Sequence, residues 1–359
     1  MTAHAEREAK ARADVLDAFE NVCPHVLGNP FFGRQWPTAP QQLFLGLHLT
    51  RGSKGRVFQA MFGGAAGPGK SSALLMAAAQ YAWKHGEFAG ACFRRTHADL
   101  AKPGALMDRA IEWWVPAGAH FNSQDKIFTF PSGAKVVMGY MSKPNDHLTH
   151  QSAEYQLTCW DELTQHPTPK QYEYVALSRC RRGEGSRIPL RALSASNPGG
   201  PGHIWVQRKF VGGADPVSGK DLEPEYPYIP ARLKDNPHID RDAYTLGLMM
   251  LHPTVRAQLL AGDWSARDPG DYFRAEWFGP LLDPATDMWP ANECIRIRWW
   301  DLAASEKPDA AFTAGVRMAR HVRGVRAIEH CRAFRATPGK RDDLIVQTAQ
   351  GDGHGVVVG

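Results

Sequence analysis

The residues best suited to chemistry lie at 64–71, where the sequence GAAGPGKS fits the pattern G-x-x-x-x-G-K-[ST] at every fixed position. In such a loop the glycines let the backbone curl so that its N–H groups point at phosphate oxygens, and the next helix adds a positive dipole. Lys70 then contacts the β- and γ-phosphates, and the Ser71 hydroxyl binds Mg²⁺. A strand-like apolar run precedes the loop and a helix-like Ala/Leu run follows it, which disfavours a glycine-rich turn formed by chance. We therefore predict a site for ATP and Mg²⁺ on Gly64, Gly67, Gly69, Lys70, Ser71 and Ser72.

Two acids, Asp161 and Glu162, end the apolar run at 157–160. In a nucleotide hydrolase the first such acid holds Mg²⁺ through its water shell, and the second polarises the attacking water as a general base. Neighbouring side chains on a strand point to opposite faces, so both acids can serve one site only if the chain turns at the strand end. A strand ending in two acids is common by itself, and it is the phosphate loop that favours the hydrolytic interpretation.

A third polar cluster is the sequence LSASN at 193–197, which is followed by Pro198 and two glycines. The Ser196 hydroxyl and the Asn197 amide are chemically able to sense a γ-phosphate and to pass its loss to the basic segment that follows. The spacing alone favours an ordinary junction between a strand and a turn. Both interpretations stay open.

The composition indicates a folded chain in a reducing compartment. Its 359 residues are 43% hydrophobic and 22% charged, which argues against global disorder and suits two or three packed units. The sequence has no run of about 18 apolar residues that could span a bilayer, and its charged start does not resemble a signal peptide. The six cysteines are isolated, so neither a disulfide scaffold nor a zinc motif is indicated.

Positive charge is concentrated in one segment. The net charge is only +5, but residues 179–210 contain seven lysines and arginines against a single acid, Glu184. A local surplus of this kind suits a partner with a phosphate backbone, although a solvated surface would have the same composition.

The order of predicted elements indicates an α/β fold with a mainly parallel sheet. An amphipathic helix is predicted over 5–22, and from residue 56 short apolar runs alternate with helical stretches, as parallel strands with crossover helices do. A hairpin interrupts them, with its turn at 131–133.

The second half of the chain changes character. Residues 211–290 are rich in Asp, Pro and Gly before two predicted helices around 239–262. A strand ending at Asp301, a hairpin, a helix and the final GVVVG strand follow. Because that last strand cannot pair fully, we expect the sequence to stop inside a domain.

Together these segments resemble the large terminase subunit of tailed bacteriophages, the motor that packages DNA. The similar segments are FGGAAGPGKSSALL as Walker A, EYQLTCWDELTQ as Walker B, LSASNPGGPGHIWVQRKF as the coupling segment, ARLKDNPHID with QLLAGDW as the linking region, and RWWDLAASEKPDAAFTAG as the start of the nuclease. The resemblance implies an N-terminal helical appendage (1–39), an ASCE or RecA-like P-loop ATPase domain (40–210), a linking subdomain (211–290) and an incomplete RNase H-like nuclease domain (291–359).

For the ATPase domain, the resemblance implies nucleotide and metal binding by Lys70 and Ser71, hydrolysis by Asp161 and Glu162, and coupling of hydrolysis to movement by Ser196 and Asn197. Either Gln41 or Gln42 is similar to the adenine-contacting glutamine upstream of the loop.

For the nuclease, Asp301 resembles the first carboxylate that binds Mg²⁺ or Mn²⁺, and Asp309 is a candidate supporting acid. A two-metal nuclease needs several converging carboxylates, which hold the ions about 4 Å apart. Only the acid of the first strand is clear, so we expect the chain to hydrolyse ATP but to cleave DNA poorly.

Two features depart from many relatives. The phosphate loop has alanine and proline at the positions where an arginine is often found, and the stretch before Walker B, DHLTHQSAEY, contains no arginine. The remaining candidates for an arginine finger, each also interpretable as a surface or DNA-facing charge, are Arg94, Arg95, Arg179, Arg181 and Arg182. His147 and His150 form H-x-x-H without an obvious third ligand, so a metal role is disfavoured.

The leading hypothesis is ATP-driven translocation of double-stranded DNA into a procapsid in the host cytoplasm. The implied partners are the DNA, the portal protein, a small terminase subunit and further copies of the chain on the portal. One alternative is a helicase-like or repair ATPase that opens strands, and another is a nucleotide-gated scaffold with negligible turnover.

Overall fold

The computed structural model describes residues 19–33, 35–51, 57–214, 221–266, 289–306 and 310–359. The chain divides into two units, Met1–Asp268 and Pro269–Gly359. Most of the helix predicted over 5–22 lies outside the described residues, and its last four residues, 19–22, are helical. Within the described ranges, no helix is both long enough and apolar enough to cross a bilayer.

The first unit is built on a large mixed sheet. Its strands are β1 (Phe58–Gly64), β2 (Ala89–Arg94), β3 (His120–Asn122), β4 (Ile127–Thr129), β5 (Lys135–Tyr140), β6 (Leu157–Asp161), β7 (Arg191–Ser196), β8 (Gly213–Ala214), β9 (Asp221–Leu222) and β10 (Tyr228–Ala231). Eight of them form one sheet in the order β10-β1-β7-β6-β2-β5-β4-β3, and β8 pairs with β9 alone. Only the β3–β4 and β4–β5 pairings of the large sheet are antiparallel. The predicted α/β fold with a mainly parallel sheet and one hairpin is therefore confirmed.

Helices cover this sheet. They are α1 (Ala39–Arg51), α2 (Lys70–Ala82), α3 (His97–Ala101), α4 (Leu106–Trp114), α5 (Lys170–Glu173), α6 (His203–Val206), α7 (Arg241–Met249) and α8 (Pro253–Arg256). In α2 every residue except Ser71 is buried, because its small alanine side chains let the helix approach the sheet closely. The helix that follows the phosphate loop is thus fixed in the core.

The order of the central strands determines which side chains can meet. β1, β6 and β7 are buried along their whole length, as strands covered on both faces are. β7 lies between β1 and β6. The carboxyl ends of parallel strands share one edge of the sheet, where ligands bind. The loop after β1, the polar end of β7 and the acids at the end of β6 therefore lie side by side.

The region predicted to be a linking subdomain contributes to the same unit. β10 pairs in parallel with β1, and Ala231 lies opposite Gly64. The two helices expected around 239–262 are present as α7 and α8. The described residues of 211–266 thus extend the large sheet through β10 and pack beside the loop at 64–71.

The second unit is a smaller sheet with one helix. Its elements are β11 (Cys294–Asp301), β12 (Thr313–His321), β13 (Arg326–Phe334), α9 (Pro338–Asp352) and β14 (Val356–Val358). The strand order is β13-β12-β11-β14, with an antiparallel hairpin of β12 and β13 and with β14 parallel to β11. The predicted strand, hairpin, helix and final strand are all confirmed.

A buried ionic cluster joins the helix of this unit to its sheet. Arg298 on β11 is fully buried and donates through Nη2 to Asp352 Oδ1 at 2.9 Å, and Arg317 donates to the same oxygen at 2.9 Å. Hydrogen bonds from Arg298 first, and then the charges of both arginines, lower the pKa of Asp352. The end of α9 is therefore held by two charge-assisted contacts.

Candidate nucleotide site

The loop at 64–71, which the sequence predicts to bind phosphate, has glycines at positions where the backbone is left-handed. Gly67 and Gly69 have φ angles of 80° and 82°, a left-handed backbone that glycine adopts without strain. Gly69 is also the residue that caps α2. A Cβ atom at Gly67 would lie 2.8 Å from a Leu233 methyl group, so the packing as well as the backbone angle requires glycine there.

Lys70 is a buried cation. It is only 7% exposed, and its Nζ donates to the Ala65 carbonyl oxygen at 2.6 Å. Burial lowers the pKa of Lys70 to about 8, although the carboxylates of Glu162 and Asp161 limit the fall. A buried ammonium group is unfavourable unless an opposite charge pairs with it, so binding of an anion beside Lys70 would be electrostatically favourable.

Asp161 is held next to Ser71. The Ser71 hydroxyl lies 3.1 and 3.0 Å from the two carboxylate oxygens of Asp161, which is 1% exposed. Arg94, at the end of the neighbouring strand β2, donates to Asp161 Oδ2 through Nε at 2.8 Å and Nη2 at 2.6 Å. Burial acts to lower the pKa of Arg94, but the Asp161 charge raises it above its ordinary value, so Arg94 stays charged.

Glu162 is where the chain turns. Its φ and ψ of 53° and 52° are left-handed, so the strand ends there and the two adjacent acids serve one region. The Glu162 side chain lines a cavity next to the loop at 64–71. Asp161 does not line this cavity, but it contacts Ser71, which does. Burial, and then the charge of Asp161, raise the pKa of Glu162 above its ordinary value. The positive charges of Lys70 and Arg94 act to lower it but do not cancel the rise. A carboxylate with a raised pKa is a better general base near neutral pH.

The cavity has a volume of about 510 Å³ and lies at the carboxyl edge of the sheet. It is lined by Gln35, Thr38, Gln41, Ala66, Gly67, Pro68, Gly69, Lys70, Ser71, Ser72, Arg109, Glu112, Trp113, Glu162, Asn197, Asn236, His238, Ile239 and Tyr244. This size suits a ligand of nucleotide dimensions. Most of the predicted binding residues line it, while Gly64 and Asp161 lie directly behind its wall.

Three amide side chains grip the carbonyl groups of the phosphate loop. Asn197 Nδ2 donates to Gly64 O at 2.8 Å, Gln41 Nε2 donates to Gly69 O at 3.0 Å, and Asn236 Nδ2 donates to Gly67 O at 2.6 Å. Gln42 instead donates to Pro37 O, so of the two glutamines it is Gln41 that reaches the loop. Sequence reasoning missed Asn236, whose only signal was its place in the segment ARLKDNPHID.

Ser196 joins the ends of β7 and β6. Its hydroxyl lies 2.8 Å from Thr164 Oγ1 and accepts from Thr164 N at 3.1 Å, two residues beyond Glu162. The polar end of β7 thus contacts both the phosphate loop, through Asn197, and the segment after the acids.

The candidate arginine-finger residues are engaged within the chain. Arg94 pairs with Asp161, as described above. Arg181 pairs with Glu154 at 2.7 Å, and Arg182 donates to the Ile188 carbonyl oxygen at 2.7 Å. Arg95 and Arg179 donate to the carbonyl oxygens of Met141 and Gln151. None of these four lines the cavity.

Metal sites made only of protein side chains are not found among the described residues, since no three His, Cys, Asp or Glu groups converge there. His147 packs against Tyr174, and His150 Nδ1 lies 2.9 Å from the Tyr155 hydroxyl. Mg²⁺ in a nucleotide site needs few protein ligands because phosphate oxygens and water supply the rest. The Ser71 hydroxyl beside the buried Asp161 carboxylate fits that requirement.

The predicted nuclease residues lie in the second unit. Asp301 is exposed at the end of β11, opposite Ala314 on β12. Asp309 lies outside the described residues. Among the described residues of this unit, Asp301 does not belong to a cluster of three or more acids, histidines or cysteines that could hold a metal ion.

Solved structures similar to this chain include large terminases. The large terminase of the thermophilic bacteriophage D6E is 12% identical, with 90% of this chain and 78% of that chain covered at a TM-score of 0.48. The HK97 bacteriophage large terminase is 14% identical, with 92% of this chain and 70% of that chain covered at a TM-score of 0.49. The large terminase ATPase domain of the Thermus phage P74-26 is 11% identical, with 65% of this chain and 96% of that chain covered at a TM-score of 0.40. This chain resembles phage large terminases. Neither a family model nor a curated protein sequence matches it.

Proposed function

We propose that the chain is a DNA-packaging ATPase that couples hydrolysis of ATP to movement of double-stranded DNA into a procapsid. The observation that carries the proposal is the convergence of Lys70, Ser71, Asp161 and Glu162 around one nucleotide-sized cavity. A scaffold that only bound nucleotide would not need a buried carboxylate with a raised pKa beside the lysine.

The chemistry follows from the roles that these side chains can perform. Lys70 would neutralise the β- and γ-phosphates, and the Ser71 hydroxyl and Asp161 are the groups that would hold Mg²⁺. When bound, the ion would neutralise further phosphate charge. Glu162 orients the attacking water and accepts its proton. Because phosphoryl transfer depends mainly on positioning and electrostatics, fixing these groups in a buried site provides most of the catalysis.

Coupling would run through the end of β7. Asn197 holds the loop at Gly64, and Ser196 holds the segment after Glu162 through Thr164. Loss of the γ-phosphate changes the charge balance between these two contacts. The movement would then pass to α6 and the residues that follow it.

The basic segment at 179–210 is the proposed contact with the DNA backbone. Arg181, Arg182 and Arg187 are exposed. Arg191, in contrast, is fully buried and donates to Gln80 Oε1 at 2.7 Å, so it belongs to the core. Contacts of the exposed arginines with phosphates would grip duplex DNA without reading its sequence.

The remaining parts of the hypothesis stay proposals. They are partnership with the portal protein and a small terminase subunit, assembly of several copies on the portal, action in the host cytoplasm, and weak nuclease activity from Asp301 with Mg²⁺ or Mn²⁺. Assembly on the portal would place the exposed arginines of the first unit near the DNA path.

A phosphate-release assay tests the ATPase. The wild-type chain should release phosphate from ATP with Mg²⁺, and Lys70→Ala should abolish the release while leaving the protein folded. Normal turnover by Lys70→Ala would refute the site. A strand-displacement assay separates the packaging motor from the helicase-like or repair ATPase, since unwinding that is independent of procapsids would favour the latter.

A further inference from the structure

Arg109 is a second cation in the nucleotide cavity that the phosphate-loop motif does not predict. It lies on α4, and its Nη1 donates to the Ser72 hydroxyl at 3.0 Å, while Nη2 donates to Gly104 O at 3.3 Å. Both Arg109 and Ser72 line the cavity. Ser72 is itself only 4% exposed, so the contact joins α4 to the buried start of α2.

Arg109 forms no ion pair in the part of the chain that the structure describes. Glu112, three residues further along α4, lines the same cavity but lies outside ion-pair distance of the Arg109 guanidinium. The other arginines near the site are bound to a carboxylate or to main-chain carbonyls away from the cavity, as Arg94 is to Asp161. A half-buried guanidinium that faces a cavity without an acid partner is suited to a bound anion.

The position of Arg109 indicates which end of a nucleotide it faces. Lys70, Ser71 and Ser72 are the first three residues of α2, and the metal-binding role belongs to Ser71, so Ser72 lies one residue further along the helix. Because Lys70 is assigned to the β- and γ-phosphates and Ser71 to Mg²⁺, the anionic group left for Arg109 beside Ser72 is the α-phosphate.

We propose that Arg109, positioned by Ser72, binds the α-phosphate of the nucleotide within the same chain. The inference rests on the proposed nucleotide site and assigns to it a contact that ATP and ADP share. An interaction made equally with the ground state and the transition state changes KM and leaves kcat unchanged. Arg109 would thus set how tightly the nucleotide is held before and after hydrolysis.

Two measurements on the full chain test this assignment. Calorimetric titration with ADP gives the affinity for the product, and steady-state kinetics with ATP gives KM and kcat. Arg109→Ala should weaken ADP binding and raise the KM for ATP by a similar factor of about 10 to 100, as expected for one charge-assisted hydrogen-bonding group, while kcat stays near the wild-type value. Arg109→Lys keeps the positive charge but loses the planar guanidinium group. Its affinity for ADP should therefore lie between those of the wild type and Arg109→Ala. The matched control is Lys102→Ala, which removes an exposed cation of the preceding segment that pairs with Asp99 at 2.7 Å outside the cavity.

The role of Ser72 is tested by a double-mutant cycle. Ser72→Ala should weaken ADP binding less than Arg109→Ala does, and the double variant should be no weaker than Arg109→Ala alone, because the hydroxyl acts through the arginine. Thermal unfolding of each variant checks that it is folded.

Three results would overturn the assignment. If Arg109→Ala binds ADP as the wild type does, the contact does not exist, and the proposed ATPase stands. If ADP affinity is kept while kcat falls, Arg109 acts on the γ-phosphate instead. If the wild-type chain binds neither ADP nor ATP, the proposed function fails, and this inference fails with it.

Discussion

The pairing of Arg94 with Asp161 allows a quantitative prediction. Asp161 is 1% exposed and Arg94 has a side chain that is 18% exposed, so removal of the arginine leaves a carboxylate that water cannot reach. Breaking a buried ion pair at one partner costs about 3–5 kcal/mol. The Ser71 hydroxyl still contacts both oxygens of Asp161 at 3.0 and 3.1 Å, and Arg94 is not wholly buried, so we expect the lower end, about 3 kcal/mol.

Urea unfolding followed by far-UV circular dichroism measures this effect. Arg94→Met should lower the free energy of unfolding of the first unit by about 3 kcal/mol, and Asp161→Asn should also destabilise it. The double variant Arg94→Met/Asp161→Asn should be more stable than the sum of the two losses predicts, because no unpaired charge remains. A loss below about 0.5 kcal/mol for Arg94→Met, which is the range of ordinary surface substitutions, would refute the reasoning.

Three further predictions concern titration and the second unit. Because the pKa of Lys70 is lowered to about 8, the unfolded chain binds more protons than the folded chain between about pH 8 and 10.4. The free energy of unfolding of the nucleotide-free protein should therefore rise with pH in that window. The affinity for ADP should fall over the same range, because Lys70 loses its charge. Calorimetric titrations with ADP from pH 7 to 10 check this, and a pH-independent affinity would exclude Lys70 from phosphate binding. Glu162→Gln should retain ADP binding but lose turnover. The wild-type hydrolysis rate should fall on acidification at a pH above the ordinary carboxyl pKa, because the pKa of Glu162 is raised and its carboxylate is protonated at a higher pH than usual. A wild-type rate in Glu162→Gln would contradict its role. Asp352→Asn should destabilise the second unit by about 2 kcal/mol, and because the pKa of Asp352 is lowered, its contribution should be present above about pH 4 and lost as the pH falls further. Urea unfolding at pH 7 and pH 3 measures both effects, and an equal loss at the two pH values would argue against the ion pair.

The parts of the site that the sequence predicts are those encoded by neighbouring residues. The loop at 64–71 and the acids at 161 and 162 follow from local patterns, and the structure brings them to one cavity. The partnership of Arg94 with Asp161 could not be predicted, because it depends on β2 lying next to β6 in the sheet. Arg109 was missed for a similar reason, since its contact with Ser72 requires α4 to pack beside α2.

The fold was predictable where strands and helices alternate clearly. β10 was not predicted as part of the main sheet, because its four residues, YIPA, are few and include a proline. The structure explains how that proline is tolerated, since β10 is the last strand at one edge of the described sheet, next to β1. A short edge strand of this kind depends on its partner strand more than on its own sequence, so the region at 211–290 was interpreted as a linking subdomain.

Three amide contacts tie the loop at 64–71 to separate parts of the first unit. Each amide binds a carbonyl oxygen of the loop, at Gly64, Gly67 or Gly69. Two N–H groups of the same loop are also bound within the chain, those of Ala65 and Ala66, which donate to the carbonyl oxygens of Ala231 and Leu259. The amides come from three separate places, the end of β7, the segment after β10 and the helix α1. If the loop moves on phosphate release, all three contacts should change together, and among the three amides only Asn197 lies within the basic segment proposed to contact DNA.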